Sequence, residues 1–219
     1  EKAPFKEKWF RYYESVEHEK LSLLMSIDPA ISALGDYTGV VVTATDKDML
    51  SYVLEATRIR SENVGDICRA VVNIGRKWGV RRVLSEALGF QRLLKYWLYK
   101  DMESQNYWMS VEEIKFHRTS KQQRIITLQP KVEMGRFLFK KHHDDIVNEM
   151  RAFPKGTHDD LVDALSMQLE WLRTPDKESA PIVPGSFQWF AEQMDNAKSN
   201  DPSGIFDDLP VRDGFGMLS

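Results

Sequence analysis

The sequence predicts an α/β domain whose mixed sheet combines an antiparallel three-strand meander with parallel strands and is flanked by helices. Three observations carry this. Apolar runs of strand length stand at 21–30, 40–45 and 49–60, joined by a Gly-containing turn and then a short polar one. From residue 63 onward, stretches of helical period alternate with short apolar ones, which implies parallel additions to the sheet. The chain has 219 residues, 42% hydrophobic and 29% charged, enough for one sizeable core.

Each element has a local reason. LSLLMSIDPA (21–30) is an apolar run closed by an acid and a proline, a buried strand stopping at Asp28. VVVTAT (40–45) and MLSYVLEATRIR (49–60) complete the meander. NVGDICRAVVNIGRKWG (63–79) places Val64, Ile67, Val71, Ile74 and Trp78 at helical spacing, with Gly79 as its stop. VRRVLSEALG (80–89) is a short strand with Glu86 just past its apolar part, followed by a helix over 90–102. Residues 111–116 form another strand, 120–135 a helix interrupted by Pro130, and 136–140 a short edge strand. Stretches 144–153 and 156–172 give two closing helices.

After Arg173 the composition turns rich in Pro, Gly, Ser and Asp. Residues 174–219 therefore read as a tail, partly flexible, with one weak helix around Phe187 to Met194. Residues 1–20 read as a linker and 21–173 as the domain. The chain starts without an initiator methionine, as a piece following an N-terminal partner domain would.

Several classes are excluded. Cys68 is the single cysteine, so neither an intramolecular disulfide nor a cysteine-rich zinc site can form, and a reducing compartment is expected. No apolar run approaches membrane-spanning length, so no membrane association is expected, and the opening lacks a signal-peptide pattern. The net charge of −3 hides an asymmetry. Between Lys115 and Lys141 there are eight Lys or Arg against one acid, whereas from Asp176 onward eight acids face three bases.

The chemistry-bearing stretch is GTHDDLVDALSMQLEWL (156–172), with Asp159, Asp160 and Asp163 at the mouth of an apolar helix. Helix N-termini favour acids, but three within five residues repel one another unless a cation relieves them. Asp160 and Asp163 share a helical face, apart from the one outlined by Leu161, Ala164, Leu165, Leu169 and Leu172. Asp159 points about 100° away unless it precedes the first turn. If the strands ending at Asp28 and before Glu86 are adjacent and parallel, those acids lie side by side at the carboxyl edge, where open α/β sheets build sites, and the helix with Asp160 completes the pocket. Asp28, Glu86 and Asp160 are then the expected catalytic acids, and Asp28, Glu86, Asp159, Asp160 and Asp163 the candidate metal ligands. All-oxygen donors suit two Mg²⁺ or Mn²⁺ ions and phosphodiester hydrolysis. Which of Asp159 and Asp160 is the principal third ligand stays open. Asp36 in LGDYTG is a candidate outer ligand, although turn formation is the simpler explanation.

Taken together, SIDPA, GDYTGVVV, VLSEALGF and GTHDDLVDALSMQ resemble the C-terminal nuclease domain of the large terminase subunit of tailed bacteriophages, over about residues 5–172. The resemblance implies a ribonuclease H-like fold, cutting of concatemeric double-stranded viral DNA during capsid filling, and location in the host cell cytoplasm. It also implies an N-terminal ATPase domain of the same polypeptide, with the portal and the small terminase subunit as partners. No Gly-x-x-x-x-Gly-Lys-Ser/Thr loop occurs, so ATP hydrolysis is not expected of this chain. Arg118, Lys121, Arg124, Lys131, Lys140 and Lys141 form the dense basic run expected to grip the DNA backbone. A junction resolvase, a transposase core and a non-catalytic assembly module are the alternatives, because fold does not fix function.

Overall fold

The computed structural model describes residues 4–29, 37–86, 91–116 and 119–175. Asp36, Arg118 and the expected helix at Phe187–Met194, with the rest of the tail from residue 176, lie outside the described residues. Strands are β1 (Arg11–Tyr12), β2 (Ser22–Asp28), β3 (Thr38–Thr45), β4 (Ser51–Ile59), β5 (Arg82–Glu86), β6 (Ser110–Ile114) and β7 (Phe137–Phe139). Helices are α1 (Val64–Trp78), α2 (Gln91–Gln105), α3 (Lys121–Ile126), α4 (Gln129–Glu133), α5 (Asp144–Ala152) and α6 (Asp160–Met167). None of them is long and apolar enough to cross a membrane.

The sheet runs β1-β7-β4-β3-β2-β5-β6. β2, β3 and β4 form the antiparallel meander, while β5 joins β2, and β6 joins β5, in parallel. The first and fourth predicted strands are therefore neighbours, as the crossover through α1 requires. Asn63 caps α1 by accepting from the Gly65 N–H at 2.8 Å, and Gly79 ends it in the left-handed conformation at φ 75°.

Alternation along β2 sorts its side chains onto two faces. Leu23, Met25 and Ile27 pack with Val71, Val72, Leu98 and Met102 of α1 and α2. Leu24 joins Val41, Leu84 and the apolar side chains of α3 to α6 on the other face. Both faces are covered, which is why β2 and β3 read as near-continuous apolar runs.

Three elements depart from the sequence expectation. β7 is no edge strand, because the two-residue β1 pairs with it in parallel on its outer side. The segment expected as a linker also contributes to the core: Phe5, Trp9 and Phe10 are buried, and the Tyr13 hydroxyl donates to the Val53 carbonyl at 2.7 Å. A two-residue strand is too short to leave a period in the sequence. The helix expected over 156–172 is shorter, and Leu169 and Leu172 lie beyond its end. Every residue from Leu161 to Met167 is buried, so α6 has no solvated acidic face at Asp163. The reason is that α6 is packed against the sheet, α3 and α5 at once.

Candidate active site

Register and alternation bring the first two acids together. Asp28 ends β2 and Glu86 ends β5, one position past the pair Ile27–Ser85. They share parity with Leu24 and Leu84, so both side chains lie on the face covered by α6. That helix delivers the third acid. One oxygen each of Asp28, Glu86 and Asp163 lie within 4.8 Å of one another.

Several contacts hold α6 in place. Gly39, paired with Asp28 across the meander, lies directly beneath the helix entrance, and a Cβ there would collide with the Asp160 carbonyl. The buried Glu149 of α5 accepts from the Leu161 and Val162 N–H groups at 2.9 and 3.0 Å and takes Nε and Nη2 of Arg58 at 2.9 and 2.6 Å on its other oxygen. It thus caps α6 from a neighbouring helix, since Asp159 at the N-cap makes no side-chain bond to the helix backbone. At the far end the buried Gln168 amide donates to Ser26 Oγ at 2.8 Å and to the Val41 carbonyl at 3.0 Å, and it accepts from Thr43. Ser26 in turn donates to the Ala164 carbonyl at 2.6 Å.

Two cations expected to face DNA are engaged inside this cluster. Ser120 begins α3 with a capping box to Gln123, which directs the first turn at the acids. Lys121 Nζ lies 3.1 Å from Asp28, 2.9 Å from Asp159 and 3.5 Å from Asp163. One turn on, the buried Arg124 places Nη2 2.8 and 3.0 Å from the two Asp163 oxygens and 3.2 Å from Glu86, with Phe116 stacked over the guanidinium at 4.0 Å. Charge-assisted bonds of this kind fix carboxylate orientation.

The remaining expected residues separate by depth. Asp163 is 1% exposed at the side chain and Asp160 18%, so Asp163 forms the floor of the cluster and Asp160 its mouth, 3.8 Å from His158. Asp159, at 41%, meets the cluster through Lys121. Lys131 is half-buried in α4. Lys140 lies over the rings of Trp78 and Tyr13 at 5.1 and 5.8 Å. It follows β7, three strands from β2 or roughly 14 Å at ordinary strand spacing, so neither it nor Lys141 belongs to the acid cluster.

Burial and like charge mark the site electrostatically. Burial raises the Asp28 carboxyl to about 6, with Asp163 and Asp160 adding to the rise and Lys121 opposing it. Burial also raises Asp160, assisted by Asp159 and opposed by Lys121. For Lys121 burial acts downward, but Asp28, Asp159 and Asp163 together prevail and its ammonium is raised. The donor set fits a hard divalent cation. Three carboxylates converge, and the cluster already accommodates positively charged nitrogens among its oxygens.

Sequence reasoning missed Lys121 and Arg124 as partners of the acids, and missed Glu149, Arg58, Ser26 and Gln168 entirely. The single usable signal was parity: Ser26 is two residues before Asp28 and faces the same side. Glu149 carries no local sign, because its partners are 91 residues away at Arg58 and 12 away at Leu161.

A mixed sheet with paired acids at adjacent strand ends and a third from a closing helix defines the ribonuclease H-like class of nuclease domains. The chain belongs to the family of terminase RNase H-like domains, whose pattern it matches over residues 25–171. Solved structures agree on the fold. The large terminase nuclease of thermophilic phage G20c with bound cobalt is 16% identical at a TM-score of 0.55, covering 75% of this chain and 93% of that one. The nuclease domain of the large terminase subunit of bacterial virus Sf6 is 11% identical at 0.51, covering 68% and 87%. A large terminase of a further thermophilic bacteriophage, in complex with ADP, is 9% identical at 0.55, with 76% of this chain covering 43% of that one. A comparison with curated protein sequences finds no match.

Proposed function

We propose that this domain is a divalent-metal-dependent endonuclease that cuts double-stranded, concatemeric viral DNA during genome packaging. The observation that carries the reading is the convergence of Asp28, Glu86 and Asp163 at the carboxyl edge of the sheet. These three would hold Mg²⁺ or Mn²⁺, with Asp160 and Asp159 at the mouth available to a second ion. Bound divalent ions supply Lewis-acid stabilisation of phosphoryl oxygens and lower the pKa of water. The chain's own part is orientation. Arg124 pins Asp163 and Glu86 from the protein side, Gly39 and Glu149 set the depth of α6, and Lys121 offsets negative charge that would repel a phosphodiester.

Lys131, Lys140 and Lys141 would contact the DNA backbone without reading bases, giving low sequence preference. The cobalt-bound G20c nuclease and the manganese-containing Sf6 nuclease domain support a divalent ion at this site by likeness of fold. An N-terminal ATPase domain on the same polypeptide, the portal and the small terminase subunit are the proposed partners, in the host cell cytoplasm.

Incubation of the purified chain with supercoiled plasmid tests this. Nicking in Mn²⁺ or Mg²⁺, its loss in EDTA and in Asp28→Asn, and preference for plain duplex over four-way junctions and RNA–DNA hybrids are expected. Plasmid left intact in both metals at a protein concentration that binds it defeats the reading.

A further inference from the structure

We propose that Lys121 is an exchangeable counter-ion of the metal site: its ammonium holds the acids together while no divalent ion is bound and is expelled when one enters, whereas Arg124 remains. The inference rests on the metal-dependent reading above and deepens it.

The two cations differ in how they are held. Lys121 Nζ meets oxygens of Asp28, Asp159 and Asp163 from a single point, with its side chain 37% exposed. A four-carbon stem with a compact ammonium can leave by rotation alone, without moving α3. Arg124 is 8% exposed at the side chain, spans both oxygens of Asp163, reaches Glu86 and is stacked under Phe116. Expelling it would bury Asp163 without its partner. Both cations share one oxygen, Asp163 Oδ2, at 3.5 and 2.8 Å.

Charge balance points the same way. Asp28, Glu86, Asp159, Asp160 and Asp163 bring five negative charges against the two of Lys121 and Arg124. With Lys121 gone the excess over Arg124 is four, so a divalent ion can replace the ammonium without overcharging the cluster; it would compete with Lys121 for the same Asp28 and Asp163 oxygens and prefers them as hard donors. A Lys121 ammonium left in place would stand as a like charge beside that ion. Swung outward, it reaches the rim where a substrate phosphate would approach.

Two measurements test this, neither of which reads cutting. Titration of Mn²⁺ by calorimetry should show Lys121→Met binding about tenfold more tightly than the natural chain, the effect of removing one like charge a few ångströms away. Trace acetylation with mass-spectrometric readout should show Lys121 labelling that rises with Mn²⁺ at the binding midpoint, while the exposed Lys141 stays constant. Unchanged or weaker Mn²⁺ affinity in Lys121→Met, or Lys121 labelling indifferent to saturating Mn²⁺, overturns the inference and leaves the nuclease reading standing. No Mn²⁺ binding by the natural chain, or binding undiminished in Asp28→Asn, overturns both together.

Discussion

Replacing Asp163 by alanine should destabilise the metal-free domain, although it removes one acid from a crowded group. Asp163 is 1% exposed and is the main partner of Arg124, which is itself buried. Breaking a buried pair from one side typically costs about 3–5 kcal/mol, because the surviving charge is left without compensation. Glu86 still holds Arg124 Nη2 at 3.2 Å, and repulsion with Asp28 is relieved, so the expected loss is near the lower end, about 3 kcal/mol. Asp160→Ala, at the mouth of the cluster, should change stability by less than about 1 kcal/mol.

Urea unfolding followed by circular dichroism, in EDTA, measures both variants. A double-mutant cycle with Arg124→Met then isolates the pair: the double variant should recover at least about 1 kcal/mol relative to Asp163→Ala alone, since no unpaired guanidinium remains. If Asp163→Ala is as stable as the natural chain, or the cycle shows coupling below about 0.5 kcal/mol, Arg124 is not bound to Asp163 as described.

Two further outcomes are expected. Gly39→Ala should drive a methyl into the Asp160 carbonyl, costing about 1–3 kcal/mol in urea unfolding and weakening Mn²⁺ binding; unchanged values in both assays would mean α6 does not approach β3 this closely. His143 is held near 4, by burial first and then by His142 and Lys140, so it stays neutral in the fold while the unfolded chain takes up a proton below about 6.5. Its contribution is therefore complete above pH about 6.5 and lost as pH falls towards 4, by up to about 3 kcal/mol. Asp28, raised to about 6, works oppositely: the folded state gains stability as pH falls from about 6 towards 3.8. The His143 share must accordingly be read as the difference between the natural chain and His143→Gln, and a difference that does not change between pH 7 and 4 refutes it.

What was legible in the sequence was whatever has a short period or a fixed partner nearby. Apolar runs revealed β2 to β4, helical spacing revealed α1, and the order of strand and helix correctly implied that β2 and β5 are parallel neighbours. From that adjacency the pairing of Asp28 with Glu86 followed. The depth of α6 did not follow, because helical spacing puts Asp160 and Asp163 on one face without saying whether that face meets water or protein. The expectation that Lys121 and Arg124 grip the DNA backbone misses their engagement with the acids for a similar reason. Their spacing is that of a solvated face, and only the packing of α3 against α6 turns it inward, 39 residues ahead of Asp163 in sequence.

The inward turn of α3 also explains why so many residues outside the acid cluster are polar and buried. A helix bearing buried carboxylates gains little from apolar packing at its entrance, where Asp159 and Asp160 interrupt the apolar surface, so it must be held by directed bonds. Glu149 ties that entrance to Arg58 on β4, and Gln168 ties the exit to β2 and β3. Each bond is charge-assisted or buried, where a hydrogen bond counts most and its loss leaves an unsatisfied group. The acids are consequently kept at close quarters by a frame that does not depend on a metal ion. An ion entering such a frame meets donors already oriented, and it offsets the burial first and then the mutual repulsion that raise the Asp28 carboxyl.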